Sequence, residues 1–240
     1  MITPQALFDA IDGTWPAAAK TMIGPFTIRD GQGGGKRVSA ATAQGPATHA
    51  DIMAAEDAMR ARAQSPLFMI RDTDAALDAA LAARGYQIID PTNGYAAPAA
   101  MLTDIAVPPV TAFAIWEPLA IMAEIWAKGG IGPQRLDVMA RAQVKTGLLA
   151  RWNEKPVGAA FVAVHDGIAM VHAVEVLEHQ RRQGVAQWIM RRAAFWARDH
   201  GADTLSVLTT ASNGAANALY QRLGFMPAGG YHYRIRHTQD

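Results

Sequence analysis

The sequence predicts a mixed α/β fold, an α+β arrangement built on a mixed sheet, and three observations support this. Hydrophobic residues make up 50% of the 240 residues, which is enough for a packed core. Short apolar stretches rich in β-branched residues and bounded by turn residues are typical of strands. Between them lie longer segments whose apolar residues recur three and four positions apart, as on one face of a helix.

The second half of the chain shows the clearest order of elements. Two helices come first, then three strands that tight turns join into an antiparallel meander, and then helices that alternate with strands. The predicted elements are helices 115–128 and 133–143, strands 146–151, 156–165 and 167–176, helix 185–200, strand 204–209, helix 213–223 and a strand around 230–236.

Residues 1–97 contain a fainter version of the same pattern. A strand begins at Pro66, a helix that Asp72 or Thr73 can cap follows it, and a Gly-Tyr pair at Gly85 ends that helix. The segments 24–30 and 36–42 are predicted to pair as a hairpin. The Pro- and Ala-rich residues 98–110 are predicted to be a connector.

Composition excludes several classes of protein and site. The net charge of +1 does not favour a general nucleic-acid or membrane binder. The absence of cysteine excludes disulfides, thiolate metal sites and a cysteinyl acyl-enzyme. We expect no metal site, because the histidines form no ligand pattern. No secretory signal and no apolar run near the ~18 residues of a membrane span is evident, so a cytoplasmic location is expected.

The most informative segment is the turn Arg181-Arg182-Gln183-Gly184-Val185-Ala186, between a strand and the long helix. The first amides of a helix have no partner within it, and the helix dipole adds positive potential there. Gly184 lets a ligand approach the backbone because it has no Cβ. The basic residues expected around the turn are Arg181, Arg182, Arg191, Arg192 and Arg198. The sequence therefore predicts a pyrophosphate site at Gly184.

Two motifs resemble signatures of the GCN5-related N-acetyltransferases, the GNAT superfamily. The turn at Gly184 has the form Arg/Gln-x-x-Gly-x-Gly/Ala of the family's acyl-CoA motif. Residues 213–225 are similar to the family's Asn-x-x-Ala-x-x-Leu-Tyr-x-x-x-Gly-Phe. The resemblance implies the GNAT acyl-CoA N-acyltransferase fold for a catalytic domain at 111–240. It also implies a degenerate GNAT-like region at 1–97, as in tandem members, unless that likeness reflects only how common strand–helix–strand units are.

The resemblance implies acetyl-CoA as cofactor and an enzyme that transfers acyl groups other than aminoacyl groups. In the family, the strand before the turn diverges from its neighbour, and its backbone binds the pantetheine arm and can polarise the carbonyl. The implied cofactor-binding residues are Val174, Val176, Arg181, Arg182, Gln183, Gly184, Val185, Ala186, Asn213 and Asn217. Asn213 and Asn217 also suit plain cap or solvent-facing positions.

Three residues are candidates for proton transfer. The resemblance implies that Tyr220 protonates the departing thiolate, and the alternative is a core tyrosine whose hydroxyl the backbone satisfies. Glu175, His172 or an ordered water would accept the proton of the amine. Strand alternation places Glu175 and His172 on opposite faces unless a bulge intervenes.

The acceptor is expected to be a primary amine of a small molecule or peptide terminus. It would enter near Trp116–Arg141 and Tyr231–Tyr233, a surface expected to expose Trp126, Tyr231, His232 and Glu117. That surface has no acidic cluster, which favours a monoamine, amino acid or peptide terminus over a polycation. A homodimer is the assembly considered. The alternative functions are a non-catalytic acyl-CoA-binding or scaffold protein and transfer from another acyl-CoA.

Overall fold

Helices and strands alternate through most of the chain in the computed structural model, which describes residues 2–236. The helices are α1 (Pro4–Thr14), α2 (His49–Arg60), α3 (Ala75–Ala83), α4 (Ala120–Lys128), α5 (Pro133–Arg141), α6 (Val185–Asp199) and α7 (Gly214–Arg222). The strands are β1 (Ala19–Ile23), β2 (Phe26–Asp30), β3 (Thr42–Ala43), β4 (Leu67–Arg71), β5 (Gln87–Pro98), β6 (Ala112–Ile115), β7 (Val144–Trp152), β8 (Lys155–His165), β9 (Ile168–Val176), β10 (Thr204–Thr210) and β11 (Met226–Ile235). The predicted mixed α/β class is confirmed.

The described residues form two compact units that interleave along the chain. The first contains the described residues up to Pro16, Gly94–Thr209 and Asn213–Ala228, and the second contains the remainder. This division differs from the predicted boundaries at residues 97 and 111. Helix α1 belongs to the first unit because it contacts β8 and β9. The predicted connector also belongs there, and the Ala99 amide donates to the Asp203 carbonyl at 2.8 Å.

The first unit is built on strands in the order β5-β10-β9-β8-β7-β6. β7, β8 and β9 form the predicted antiparallel meander, and β10 runs parallel to β9. Helix α6 covers one face of the sheet, and its apolar stripe packs on alternate residues of β8 and β9. The core there includes Val162, Val171, Ile189, Ala193 and Trp196. Helices α1 and α4 contact β8 and β9 as well.

The second unit contains the antiparallel sheet β1-β2-β3, helices α2 and α3, strand β4, and the parts of β5 and β11 that lie before Gly94 and after Ala228. Its core includes Phe26, Ile28, Ile52, Phe68 and Leu81. The buried Glu56 carboxylate accepts hydrogen bonds from Arg84 at 2.9 Å and from the Tyr86 hydroxyl at 2.9 Å. Because a buried carboxylate is costly unless it is paired, these bonds hold α2 against the rest of the unit.

Two sequence predictions of secondary structure were wrong in part. The predicted helix 115–128 begins only at Ala120, and residues 112–115 form β6, where Ile115 pairs with Gly147 of β7. Pro118 disfavours helical geometry at the residue before it, which explains the late start. Of the predicted hairpin of 24–30 with 36–42, only the end forms, where Thr27 of β2 pairs antiparallel with Thr42 of β3. Lys36–Val38 is a short 3-10 turn, and β2 pairs along its length with β1. β1 is almost entirely exposed, so it lacks the alternation that identifies a strand.

No helix among residues 2–236 has the length and apolar character needed to cross a membrane. Over the same residues, no group of three or more His, Asp or Glu side chains could hold a metal ion.

Candidate functional site

The turn between β9 and α6 presents a run of backbone amides without acceptors. The first hydrogen bond of α6 joins the Trp188 amide to the Gly184 carbonyl at 3.2 Å. Within residues 2–236, no amide from Arg182 to Gln187 donates a hydrogen bond. Unpartnered amides at a helix N-terminus, together with the helix dipole, favour an anion.

Gly184 is the N-cap residue of α6, and its φ of 78° lies in the left-handed region that favours glycine. A Cβ built on Gly184 would meet no atom within 4 Å, so the space above this residue is open. The side chains of Arg181, Arg182 and Gln183 are exposed around it. A phosphate group could therefore approach the turn without displacing any side chain.

The positive charge at the turn is smaller than the sequence predicted. The Arg191 guanidinium is buried and donates to the Leu102 carbonyl at 3.2 Å and to the Asp104 carboxylate. Arg198 donates to the Thr103 hydroxyl at 3.0 Å. Because Arg191 and Arg198 lie seven residues apart on one face of α6, both contact the same segment instead of the turn.

β9 separates from β10 before it reaches the turn. The parallel ladder between the two strands ends with Val171 opposite Val207. On the other side, the Leu177 amide donates to the Val157 carbonyl of β8 at 2.9 Å. Since backbone groups alternate in direction along a strand, the Val176 amide points away from β8, toward the opened side. This is the divergence of strands that the resemblance led us to expect.

A bulge interrupts β9 between the two candidate bases. Ala159 of β8 pairs with Glu175, whereas Phe161 pairs with His172, so two residues of β9 oppose one residue of β8. One of them, Ala173, has a φ of 51°, and its carbonyl accepts a hydrogen bond from the Trp126 indole at 2.9 Å. Side chains along a strand alternate between the two faces of the sheet, and the extra residue shifts this alternation by one position. Glu175 and His172 therefore lie on the same face of the sheet.

His172 is enclosed by α1. Its side chain is buried, with 4% of its surface exposed, and its Nε2 lies 2.9 Å from the Thr14 hydroxyl oxygen. That hydroxyl donates its one proton to the Ala10 carbonyl at 2.5 Å, so Nε2 of His172 carries a proton and donates to it. The Trp15 ring lies 4.9 Å away between centroids. These contacts favour a role for His172 in anchoring α1.

The Glu175 carboxylate is half-buried and lies against the turn between α4 and α5. A Cβ built on Gly129 would stand 2.3 Å from Cδ of Glu175, so only glycine allows this approach. Burial raises the pKa of Glu175, and the positive charges of Arg181 and Arg135 oppose that rise. Among the described residues, Glu175 forms no ion pair. A carboxylate with these properties suits proton transfer near neutral pH.

Tyr220 of α7 is an aromatic core residue with an unused hydroxyl. Its side chain is 5% exposed and packs against Tyr95 and Phe225, with centroids 6.1 Å and 5.8 Å away. Burial raises the pKa of Tyr220 to about 12. Its hydroxyl makes no hydrogen bond to any of residues 2–236, so the backbone does not satisfy it in the way that the alternative prediction required.

The two candidate asparagines hold α7 in place. Asn213 caps the helix, because its Oδ1 accepts from the Ala216 amide at 3.1 Å. Asn217 donates to the Asn213 carbonyl at 2.7 Å and accepts from the Tyr95 hydroxyl at 2.8 Å. Both side chains therefore form hydrogen bonds within the protein that fix the start of α7. Their contact with a cofactor stays a prediction.

The expected acceptor surface needs correction. Trp126 is fully buried beneath the bulge of β9, and Tyr231 is buried within the second unit, so neither is an exposed recognition residue. Trp116 is 38% exposed, and the Lys145 ammonium lies 5.0 Å from its ring centroid. Glu117 is exposed as expected.

Sequence reasoning missed Gly129 and Arg135. The signal for Gly129 was the glycine-rich stretch Gly129-Gly130-Ile131-Gly132, which reads as an ordinary helix end. No local signal links this stretch to Glu175, which is distant along the chain. The enclosure of His172 by Thr14 likewise joins residues that are 158 positions apart.

Comparisons with known proteins indicate the same family as the two motifs. Residues 116–225 match the family model described as "Acetyltransferase (GNAT) family". The "Uncharacterized N-acetyltransferase YobR" of Bacillus subtilis (strain 168) is 33% identical over 75 residues, which are 31% of this chain and 30% of that protein. The chain thus matches less than a third of the length of that curated relative.

Solved structures extend the similarity over most of the chain. A GCN5-related N-acetyltransferase from Kribbella flavida superposes with a TM-score of 0.76 at 20% identity, covering 99% of this chain and 96% of that one. A tandem GNAT protein from the clavulanic acid biosynthesis pathway gives 0.62 at 14% identity, covering 84% and 76%. The expected GNAT fold is confirmed. Residues 116–225, which contain both motifs, thus match the GNAT family, and the chain has the GNAT fold.

Proposed function

We propose that this protein is an acetyl-CoA-dependent N-acetyltransferase that acts on the primary amine of a small molecule or peptide terminus. The observation that carries the proposal is the run of unpartnered amides from Arg182 to Gln187, directly after the opened end of β9. When bound, acetyl-CoA would supply an acyl group already activated as a thioester. The group transferred is an acyl group other than an aminoacyl group.

The residues present suit a CoA molecule. Its pyrophosphate is an anion, and the amides after Arg181 together with the exposed Arg181 and Arg182 side chains favour negative charge. The backbone of Val174 and Val176 lies where β9 has lost its pairing with β10, so it has donors and acceptors for the amide-containing pantetheine arm.

Glu175 and Tyr220 would handle the protons. An amine attacks only when it is neutral, so a nearby group must accept its proton. Of the two candidate residues on this face, His172 is enclosed by α1 and Glu175 is only half-buried, which favours Glu175. Tyr220 would donate its phenolic proton to the departing sulfur. Burial raises the pKa of Tyr220, so the phenol is protonated at neutral pH and has a proton to donate. A cysteinyl acyl-enzyme is excluded because the chain has no cysteine.

We expect one CoA to bind per chain. In the second unit, the N-terminus of α2 is closed by a capping box, in which the Asp51 amide donates to the Thr48 hydroxyl at 3.2 Å and the Asp51 carboxylate accepts from the Thr48 amide at 2.8 Å. The N-cap of α3 is Asp74. The Asp51 carboxylate thus occupies the N-terminus of α2 and disfavours phosphate there, and the Asp74 carboxylate at the start of α3 is paired with Arg71 at 3.1 Å. Calorimetric titration with CoA should therefore show a single site. Absence of binding would contradict the proposed function, and two equal sites would contradict our interpretation of the second unit.

An acceptor screen tests catalysis separately from binding. The purified protein, acetyl-CoA and a broad panel of primary amines are monitored for free CoA thiol, and the cysteine-free chain adds no thiol background. We expect thiol release with at least one amine, matched by its N-acetyl product in mass spectrometry. If CoA binds and no amine in the panel is acetylated, the non-catalytic acyl-CoA-binding alternative is favoured.

Substitution Glu175→Gln should reduce kcat/KM about 100-fold near neutral pH, within the usual range for a general base. Burial raises the folded pKa of Glu175, so the wild-type rate should increase with pH through a range above the ordinary glutamate value of about 4.3. The variant should lose that limb of the pH profile, because no carboxyl remains to deprotonate.

The matched control is Glu178→Gln, which removes the same charge from an exposed side chain nearby. It should leave the pH profile unchanged. An acid limb that persists in Glu175→Gln would assign the base to another group or to water.

A further inference from the structure

Two guanidinium groups flank the Glu175 carboxylate from different elements. Arg135 of α5 donates to the Gly130 carbonyl at 3.4 Å, in the same turn whose Gly129 contacts Glu175. Arg181 donates to the carbonyl of Val176, the residue after Glu175, at 3.1 Å. Their positive charges both act on Glu175. Neither arginine forms an ion pair within residues 2–236.

The charges around Glu175 therefore do not balance. Without CoA, one half-buried carboxylate faces two cations, and each guanidinium uses one of its five N–H donors in the bonds above. The pyrophosphate of bound CoA would engage Arg181, which leaves Arg135 as the cation available to the acceptor. An acceptor whose only charge is its ammonium group would be attracted by Glu175 and repelled by Arg135. An acceptor that also carries a carboxylate would satisfy both kinds of site, and guanidinium groups bind carboxylates especially well.

We infer that the acceptor is an amine with a carboxylate close to it, as in a free α-amino acid, and that Arg135 on the α4–α5 side of Glu175 binds this carboxylate. The inference rests on the proposed function and selects among the acceptor classes that the sequence left open. A peptide terminus and a simple monoamine both lack a carboxylate beside the amine. Arg181 belongs to the predicted cofactor turn, so Arg135 is the residue that would discriminate between acceptors.

The test compares amino acids with their own carboxamides, which keep the amine and side chain and lose the negative charge. A panel of common L-amino acids and the matching carboxamides is assayed for kcat/KM in wild type and in Arg135→Gln. We expect the variant to lower kcat/KM for amino acids about 10-fold more than for the carboxamides, since one charge-assisted hydrogen bond is lost. For each compound, kcat/KM of the variant is divided by kcat/KM of wild type, and this quotient is compared between the amino acid and its carboxamide. The lower basicity of the carboxamide amine affects both proteins equally and therefore cancels.

Lys128→Gln is the control, because it removes an exposed positive charge from the last turn of α4 and should leave the ratio unchanged. A binding measurement complements the kinetics: N-acetyl amino acids should bind the CoA-loaded protein more weakly after Arg135→Gln, mainly through a higher Kd. If wild type acetylates carboxamides or monoamines and no amino acid, the inference fails while the proposed function stands. If CoA binds and no acceptor reacts, both fail. An equal loss for both members of each pair would also overturn the inference.

Discussion

Gly184→Trp is expected to remove measurable CoA binding and, with it, all acetyl transfer. An indole at this position would fill the open space above the amides from Arg182 to Gln187. If it blocks only two charge-assisted hydrogen bonds to phosphate, the loss is about 3 kcal/mol or more, which is about 100-fold or more in Kd. Calorimetric titration with CoA measures the effect directly and does not depend on knowing the acceptor.

The chain contains a closely matched control for this substitution at the other end of the same helix. Gly201 follows α6, has a φ of 77°, and also has no atom within 4 Å of a built Cβ. Gly201→Trp therefore carries the same backbone strain, of order 1–2 kcal/mol, without approaching the turn. We expect both variants to lose similar unfolding free energy and only Gly184→Trp to lose CoA affinity. Equal affinities in the two variants would contradict a phosphate site at Gly184.

The turn could be predicted from the sequence because its geometry is set locally. A strand, a glycine-containing turn and an amphipathic helix are consecutive in the chain, and the long helix, expected at 185–200, was found at Val185–Asp199. The separation of β9 from β10 was also expected, but only from the resemblance to the family and not from the residues of β9 themselves. Of β6, only Ile115 fell within the predicted helix 115–128, and residues 112–114 were assigned to no element, because so short an apolar run fits either periodicity.

The surroundings of the candidate bases could not be predicted, because they depend on contacts between distant parts of the chain. Glu175 owes its position to the bulge at Ala173, which Trp126 of another element holds by one hydrogen bond. His172 is enclosed by α1, which the sequence assigned to a different domain from β9. Regular alternation along a strand would place His172 and Glu175 on opposite faces, and the extra residue in β9 places them on the same face.

Tyr220→Phe is expected to lower kcat about 100-fold while the Kd for CoA stays within about twofold of wild type. The substitution removes the hydroxyl and keeps the ring that packs against Tyr95 and Phe225. The magnitude is that of losing a general acid, since the phenol, with its pKa raised to about 12, is the proton donor assigned to the departing sulfur. Single-turnover release of CoA thiol with a reactive acceptor, beside calorimetry with CoA, separates the two effects.

Stability and kcat together distinguish this catalytic interpretation from a role in packing. The Tyr220 hydroxyl makes no hydrogen bond to residues 2–236, so its removal should leave the free energy of unfolding nearly unchanged. In the control Tyr95→Phe, the lost hydroxyl donates to Asn217 at 2.8 Å, which should cost about 1 kcal/mol while kcat stays within about threefold. Each of the two substitutions is therefore expected to change one property and not the other. If Tyr220 serves only in packing, Tyr220→Phe retains kcat as well as stability, because the packed ring is unchanged.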